Sequence, residues 1–319
     1  VWTGVVEVAG IDLWGPQAAA PMYYDDLLFA PVLTVDHTLT WDGDAGNWGD
    51  LDHAPDSHWI ESIAGTITPE IPTIGAIGTS ADIAIVSSGA VTVAADQGAL
   101  SLEILGGSVT INSGATLEIH DATTVTAPGA IAINGTLDTD SFTNDDATSL
   151  GVDATLKTKS GLLADINTAG DATFDGGATA AAINLAASGT FTKSGGGTLD
   201  LIGAGTIGAT NTIRIDGGEL KLQVNAIDPL NGAALILNGG KFTSDFGTNM
   251  SGSTVSVTSN SAINAPTISP VSFGALTFDA DGILTINGAG GETAFASTTV
   301  KTGVSAGVNA AGQNAALGA

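Results

Sequence analysis

A short alternation of apolar and polar residues recurs along the chain from about residue 80 onwards. Apolar residues at helical spacing between capping residues are almost absent. Turn pairs such as Ser88-Gly89 and Asn134-Gly135 separate one alternating segment from the next. The pattern therefore predicts an all-β chain of many short strands. The clearest of these segments are Ile83–Ile85, Val91–Val93, Leu100–Leu102, Val109–Ile111 and Leu117–Ile119.

The spacing of these segments predicts how the strands are arranged. Strand starts follow one another at roughly 6 to 9 residues, and every third one returns after roughly 22 to 26. Three short strands joined by corners make one coil of a three-sided helix, and coils of this kind stack at ~4.8 Å. Because one coil cannot bury its inward side chains alone, the stack is the unit of stability. We therefore predict a right-handed parallel β-helix (solenoid) over residues 81–319, with an antiparallel sandwich as the alternative.

The stretch FTKSGGGTLDLIGAG, residues 191–205, illustrates the expected coil. Phe191, Leu199 and Leu201 are predicted to point into the solenoid, because strand residues two apart share a face. The glycines at 195–197 are predicted to turn a corner.

The part of the chain before Ala81 has a different composition. It holds all five tryptophans and both tyrosines of the chain. Residues 11–30 resemble the closing strands of a jelly-roll, so residues 1–36 are predicted to form a partial jelly-roll-like or strand-exchange segment. Residues 37–80 are predicted to form a Trp-rich cap, because an uncapped β-helix exposes unpaired backbone groups. The aromatic residues are Trp2, Trp14, Tyr23, Tyr24, Trp41, Trp48 and Trp59.

Charge limits the partners that we expect. The 319 residues include 33 acidic and 7 basic side chains, which gives a formal net charge of −26. Such a chain lacks the basic surface that replaces counterions on phosphate, so we expect neither a nucleic acid nor an anionic membrane surface as partner. No run reaches the ~18 apolar residues of a membrane span, so we expect no membrane insertion. The acidic balance suits a secreted protein that attracts calcium.

Composition adds two further limits. The chain has no cysteine, so disulfides and thiolate chemistry are excluded. Hydrophobic residues make up 43% of the chain and charged residues 13%, which predicts a folded chain rather than a solvated coil. The sequence starts at Val1 without a signal-like segment, and we interpret it as a mature or cropped piece of a longer protein.

Several motifs follow one another in an order that resembles a known family. Thr40–Gly43, Gly46–Trp48, His58-Trp59 and Ala81–Val93 resemble the opening of large secreted bacterial proteins with autotransporter-associated β-strand repeats, common in planctomycetes. Residues 191–222 look like the repeat itself, with a "KxGxGTLxLxG" core that starts at Lys193. The resemblance implies an extracellular β-helical stalk or surface layer, often beside carbohydrate-binding modules, and it does not imply catalysis.

Two acidic turns are candidate calcium sites, because carboxylate oxygens at loop spacing suit this ion. The first contains Asp42, Asp44 and Asp50, and the second contains Asp279 and Asp281. Neither completes an EF-hand loop. The alternative is that these residues are solvated turn residues, since Asp favours turns for backbone reasons.

Carbohydrate chemistry offers other candidates. Tyr23, Tyr24, Trp41 and Trp48 are candidate sugar-stacking residues, with packing at a domain junction as the alternative. Arg214, the only arginine, could serve a polysaccharide lyase together with carboxylates. The alternative is a surface ion pair of Arg214 with Asp200 or Asp216.

We therefore expect an extracellular or cell-surface structural protein, not an enzyme, that forms a stalk, surface layer, adhesin or fibre. It would require no cofactor, with calcium as the candidate ion, and it would form a homo-oligomer or filament. An extracellular polysaccharide is the candidate ligand. The alternative is a secreted carbohydrate-binding or polysaccharide-cleaving β-helix protein.

Overall fold

The structure is a computed structural model of the chain. All described residues belong to one compact unit, Leu33–Ala319. Apart from residues 34–36, the predicted segment 1–36 lies outside the described residues, as does most of the predicted cap 37–80. The structure describes residues 34–41, 43–49, 58–61, 80–186, 188–224, 228–265, 269–288, 291–311 and 314–318.

Within these residues the chain forms 29 β-strands and no helix. The first fifteen strands are β1 (Thr34–Trp41), β2 (Ala45–Asn47), β3 (Trp59–Glu61), β4 (Ser80–Val86), β5 (Ala90–Val93), β6 (Gln97–Ala99), β7 (Ser101–Ile104), β8 (Ser108–Ile111), β9 (Thr116–Val125), β10 (Ala130–Ile133), β11 (Thr136–Asn144), β12 (Thr148–Leu150), β13 (Ala154–Thr168), β14 (Ala172–Gly176) and β15 (Ala178–Leu185). The remaining strands are β16 (Thr190–Ser194), β17 (Thr198–Leu201), β18 (Thr212–Ile215), β19 (Glu219–Leu222), β20 (Ala234–Leu237), β21 (Lys241–Ser244), β22 (Asn249–Met250), β23 (Val255–Val257), β24 (Ser261–Asn264), β25 (Val271–Phe278), β26 (Gly282–Asn287), β27 (Glu292–Val300), β28 (Ala306–Ala311) and β29 (Asn314–Leu317).

The strands pair into three parallel sheets that run along the molecule. Sheet 1 follows β1, β4 and β7, passes through parts of β9, β11, β13 and β15, and continues in β17, β19, β21, β24, β26 and β28. Sheet 2 joins β2, β5, β8, β10 and β12 to the ends of β13 and β15, and β22 to β25, β27 and β29. Sheet 3 starts in β6, uses the first parts of β9, β11 and β13, and continues through β14, β16, β18, β20, β23, β25 and β27.

This pairing confirms the predicted all-β parallel solenoid, which has about 11 turns. Among the described strands one pairing, β1 with β3, is antiparallel. The coils vary in length: a short coil brings Leu163 beside Ala180, whereas a longer one brings Ile286 beside Ala310. The short coil is shorter than the strand spacing in the sequence predicts, and the longer one agrees with it.

The shorter coils owe their length to tight bends between sheet 3 and sheet 1. Strands β9, β11 and β13 pass through this bend without a loop. At two of the bends a buried threonine hydroxyl donates to the backbone, from Thr139 to the Ser141 carbonyl at 3.0 Å and from Thr158 to the Ser160 carbonyl at 2.6 Å. These bonds give a buried hydroxyl a backbone partner at each bend.

Inward side chains of all three sheets form one core. Its members run from Leu39 to Phe295 as a single cluster of buried apolar residues. In sheet 3, large apolar residues stack on one another in successive coils: Phe191 pairs with Ile213, and Ile213 pairs with Leu235. The predicted inward residues Phe191, Leu199 and Leu201 are buried, which confirms the alternation read from the sequence.

We predict that the core contributes most of the stability of each coil. Phe191→Ala should lower the free energy of unfolding by about 3 to 5 kcal/mol, because it leaves a cavity between adjacent coils. Thr192→Ala, on the outward face of the same strand, should cost less than about 1 kcal/mol. Urea titration followed by circular dichroism measures both, and equal losses would contradict the assigned direction of the two side chains.

Candidate functional site

A groove of about 630 Å³ lies along the bend between sheet 3 and sheet 1. Its volume falls in the range of ~300 to 1,000 Å³ that small-molecule sites occupy. The groove is lined by successive coils, from β9 to the corner after β16. It is therefore a candidate functional site that follows from the stacking itself.

One wall of the groove is a column of charged residues in sheet 3. Glu118, Asp138, Lys157 and Asp175 occupy equivalent positions on consecutive coils, each paired in register with the next. They point outward because they alternate with the buried residues of their strands. The stacking of coils thus repeats one charged position at intervals of ~4.8 Å.

The bend of the groove carries a second set of charged residues. His120, Asp140 and Lys159 lie at the bends of β9, β11 and β13 and line the groove. Asp140 and Lys159 also form an ion pair, with Oδ1 and Nζ 2.5 Å apart. Because Lys159 is 78% exposed, solvent screens this pair and its contribution to stability is small.

Two further contacts tie the wall together. Lys157 Nζ donates to Asp138 Oδ2 at 2.5 Å, and His120 Nε2 lies 3.2 Å from Glu118 Oε1. The hydrogen bond to Asp138, with the charge of the same carboxylate, raises the pKa of Lys157. Both lysines of the groove are thus held by carboxylates of the preceding coil.

The far end of the groove is built from glycines and a carboxylate. Gly176 has a φ of +116°, and a Cβ there would lie 1.7 Å from the Thr158 carbonyl oxygen, so the bend requires glycine. Gly177, Gly196 and Gly197 line the groove beside it. Asp175 is half-buried and accepts no hydrogen bond from the described residues. This end therefore offers a ligand open space beside an acid.

Directly behind this end lies a buried lysine. Lys193 points inward between Phe191 and the glycine corner and is 0% exposed. Its ammonium donates to the carbonyl oxygens of Ser194 and of Gly195, the latter at 3.3 Å. Burial lowers the pKa of Lys193 to about 8, and the nearby charge of Asp175 opposes this shift. Lys193 therefore holds the backbone of the glycine corner from the inner side, through hydrogen bonds to its carbonyl groups.

The inward direction of Lys193 was not part of the sequence prediction. The alternation of the strand does indicate this direction, because Lys193 lies two residues after the predicted inward residue Phe191 and therefore on the same face. The chemistry of lysine conflicts with that position, and the carbonyl groups of the corner resolve the conflict. In the repeat-like motif this lysine is thus a corner residue.

The predicted calcium residues of the second turn lie near the end of the stack. Asp279 Oδ1 is 2.5 Å from Lys301 Nζ, its other oxygen accepts from the Ser256 hydroxyl, and these bonds, that of Lys301 first, lower its pKa. Asp281 Oδ1 accepts the Ser305 N–H at 2.7 Å. Their carboxylates are thus held by side-chain and backbone donors of the protein.

The first predicted calcium turn is described in part. Asp44 lies exposed between β1 and β2, and its carbonyl accepts the Trp41 indole N–H at 2.7 Å. Asp42 and Asp50 lie outside the described residues. In the described part of the chain no three His, Cys, Asp or Glu side chains are grouped so that they could hold a metal ion. Calcium binding stays a prediction.

The tryptophans of the cap region point into the core. Trp41 is 1% and Trp48 0% exposed, and both rings pack edge-on against Trp59, at 5.0 and 4.9 Å between centroids. His58 stacks on Trp41 at 4.8 Å. In this structure neither predicted sugar-contact tryptophan presents a ring face to solvent, while Tyr23 and Tyr24 lie outside the described residues.

Arg214 forms the ion pair that the sequence offered as the alternative to catalysis. Its Nε lies 2.6 Å from Asp216 Oδ1, while Asp200 accepts from Gln223 instead. All seven basic residues of the chain are described: Lys193 is buried, and six pair with an acid. The six pairs are Lys157–Asp138, Lys159–Asp140, Arg214–Asp216, Lys221–Asp245, Lys241–Glu219 and Lys301–Asp279.

Comparison with protein-family models, with curated proteins and with solved structures found no match in any of the three. The resemblance to autotransporter-associated repeats therefore stays a prediction. Among the residues that the structure describes, no helix has the length and apolarity needed to cross a membrane.

We predict that Lys193 makes stability depend on pH in the alkaline range. Its pKa is about 8 in the fold and 10.5 in a free chain, so between these values the unfolded chain binds more protons. Stability should therefore rise with pH from about 8 to 10.5, by up to about 3 kcal/mol for this group. Lys193→Met should remove this rise.

The measurement is the free energy of unfolding of wild type and Lys193→Met across pH 7 to 10.5, by urea titration. The difference between the two proteins isolates Lys193 from the other lysines, whose own titration is common to both. A difference that does not change with pH would contradict the lowered pKa of Lys193 in the fold.

Proposed function

We propose that the protein is an extracellular structural protein whose β-solenoid forms a stalk, surface layer or fibre. The observation that carries this proposal is the single core that runs through about 11 turns. At ~4.8 Å per turn, such a stack is about 50 Å long. A continuous core with paired backbone gives length and stiffness, which are the properties a stalk needs.

Ion pairs between coils support the same role. Of the six pairs, five join residues on neighbouring coils, whereas Arg214 and Asp216 lie on the same coil. Each exposed pair contributes little by itself, at most about 1 kcal/mol. Their placement nevertheless links each of these coils to the next along the outer face.

The remaining charge suits a hydrated extracellular surface. The described pairs and the burial of Lys193 use all seven basic residues, so most of the 33 acids have no lysine or arginine left to pair with. Self-repulsion of this charge keeps the protein soluble and attracts cations such as calcium. The resemblance to autotransporter-associated repeats supports the extracellular or cell-surface location.

We also propose that copies of the chain associate through strand edges. Among the described strands, β28 and β29 each pair with one neighbour, β26 and β27. An open strand edge is a template for pairing with a second chain.

The proposed structural role requires neither catalysis nor a bound cofactor. Carbohydrate binding is the second candidate function, and the groove between sheets 3 and 1 favours it.

Negative-stain microscopy of concentrated protein tests the structural role, and we expect rods that join into filaments. Leu317→Lys, which places a charge on the edge strand β29 in place of a 47% exposed leucine, should shorten them. Val152→Lys, at a 57% exposed valine in the middle of the stack, is the matched control and should leave them unchanged. Monodisperse particles at all concentrations would contradict the proposed self-association.

Calcium binding is tested by the melting temperature of the protein with and without millimolar CaCl₂. A bound ion stabilises the folded state by mass action, so the melting temperature should rise with calcium concentration. MgCl₂ at the same ionic strength controls for screening of the acidic surface. An equal rise with both salts would leave screening as the cause and remove the calcium site.

A further inference from the structure

The groove at the bend between sheets 3 and 1 has a property that the structural role does not use. Apart from His120, its charged lining consists of four acids and two lysines, so the acids outnumber the lysines by two. Both lysines are paired, with Asp138 and with Asp140. The acids of the lining without a lysine partner in it are therefore those at the two ends, Glu118 and Asp175, and the buried ammonium of Lys193 behind Asp175 offsets part of the charge there.

The two ends differ in what holds the acid. Glu118 contacts His120 at 3.2 Å, whereas Asp175 has no hydrogen-bonded partner among the described residues and borders the glycine-lined space. Three coil steps separate the two carboxylates, which corresponds to about 14 Å along the groove. A ligand that satisfies both ends must present positive charge at about this separation.

The middle of the groove sets a second requirement. Each ammonium of Lys157 and Lys159 has further N–H donors, and each carboxylate of Asp138 and Asp140 has further acceptor sites. A ligand that crosses these pairs must both donate and accept hydrogen bonds. Hydroxyl groups do both, whereas the methylene chain of a simple polyamine does neither.

We propose that this groove binds a short oligosaccharide that carries free amino groups, such as a trimer of glucosamine. Asp175 receives one ammonium group in the glycine-lined end, and Glu118 receives another. The ring hydroxyls between them contact the two lysine–aspartate pairs. The net charge of −26 disfavours an acidic polysaccharide in the same place.

A basic peptide is the other polycation with hydrogen-bonding groups. Peptide segments gain affinity from apolar or aromatic side chains seated in pockets. The groove offers no such pocket in its described lining, since its one large apolar residue, Ile119, is buried in the core at 1% exposure. The lining of charges, threonines and glycines fits a sugar better.

Isothermal titration calorimetry of the full chain at low salt tests the proposal with four probes. These are triglucosamine, its fully N-acetylated form, trigalacturonate and trilysine. We expect triglucosamine to bind at least tenfold tighter than the other three, because it alone combines ammonium groups with hydroxyls. Equal binding of the acetylated trimer, tighter binding of trilysine, or no binding of triglucosamine would each overturn the proposal.

Substitutions of opposite sign separate this site from a general charge effect. Asp175→Asn should weaken triglucosamine binding about tenfold, the value of one charged hydrogen bond. Lys159→Gln frees Asp140 and should tighten binding roughly twofold to fivefold. Glu103→Gln and Lys301→Gln change the net charge equally but lie outside the groove lining, and they should have no effect.

The melting temperature of each variant shows whether it folds. If both lysine variants tighten binding equally, the effect follows net charge and the groove is not the site. If Asp175→Asn folds and binds triglucosamine as wild type does, the assignment of Asp175 is wrong.

Discussion

Parallel pairing in register between successive coils is the constraint on which the rest of the structure depends. A coil of three short strands has too few apolar residues to bury by itself, and it becomes stable only against the coils above and below it. Register places Phe191 over Ile213 and Ile213 over Leu235, so inward positions remain inward through the stack. The same register places outward residues in columns, and both the ion pairs between coils and the groove follow from those columns.

This geometry also explains how the chain uses its seven basic residues. Stacking at ~4.8 Å brings Asp138 and Lys157 together although they lie on different coils. A lysine on one coil thus relieves the repulsion between acids of neighbouring coils. Lys193 is the exception, because it faces inward, where the open carbonyl groups of Ser194 and Gly195 bind its ammonium. Its lowered pKa reflects the cost of burying that charge.

Much of the fold was predictable because each strand repeats a local rule. Alternation assigned Phe191, Leu199 and Leu201 to the core, and glycine clusters marked the corner after Lys193. The short coils were not predictable from turn residues alone, because the bends at Asp140 and Lys159 lie inside continuous strands. The bend at Asp140 carries no Gly or Pro, and the one at Lys159 carries a single glycine, Gly161, inside β13. The groove was not predicted for the same reason. Its columns of outward charged residues depend on coil lengths that differ from turn to turn, and a register shift of one residue would move these residues out of alignment. The direction of Trp41 and Trp48 likewise depends on packing against Trp59, a residue distant in sequence.

The distance between spin labels on one outward column tests the stacked coil most directly. Thr116, Thr192 and Thr277 lie on one column, with four coil steps from the first to the second and eight to the third. The chain has no cysteine, so cysteines placed in pairs at these positions label selectively. The account predicts backbone separations of about 19 Å for 116 and 192 and about 38 Å for 116 and 277. Similar distances for the two pairs, or a shorter distance for 116 and 277 than for 116 and 192, would contradict the account. Either result would show that the chain folds back on itself and does not advance along the axis by one coil spacing per turn.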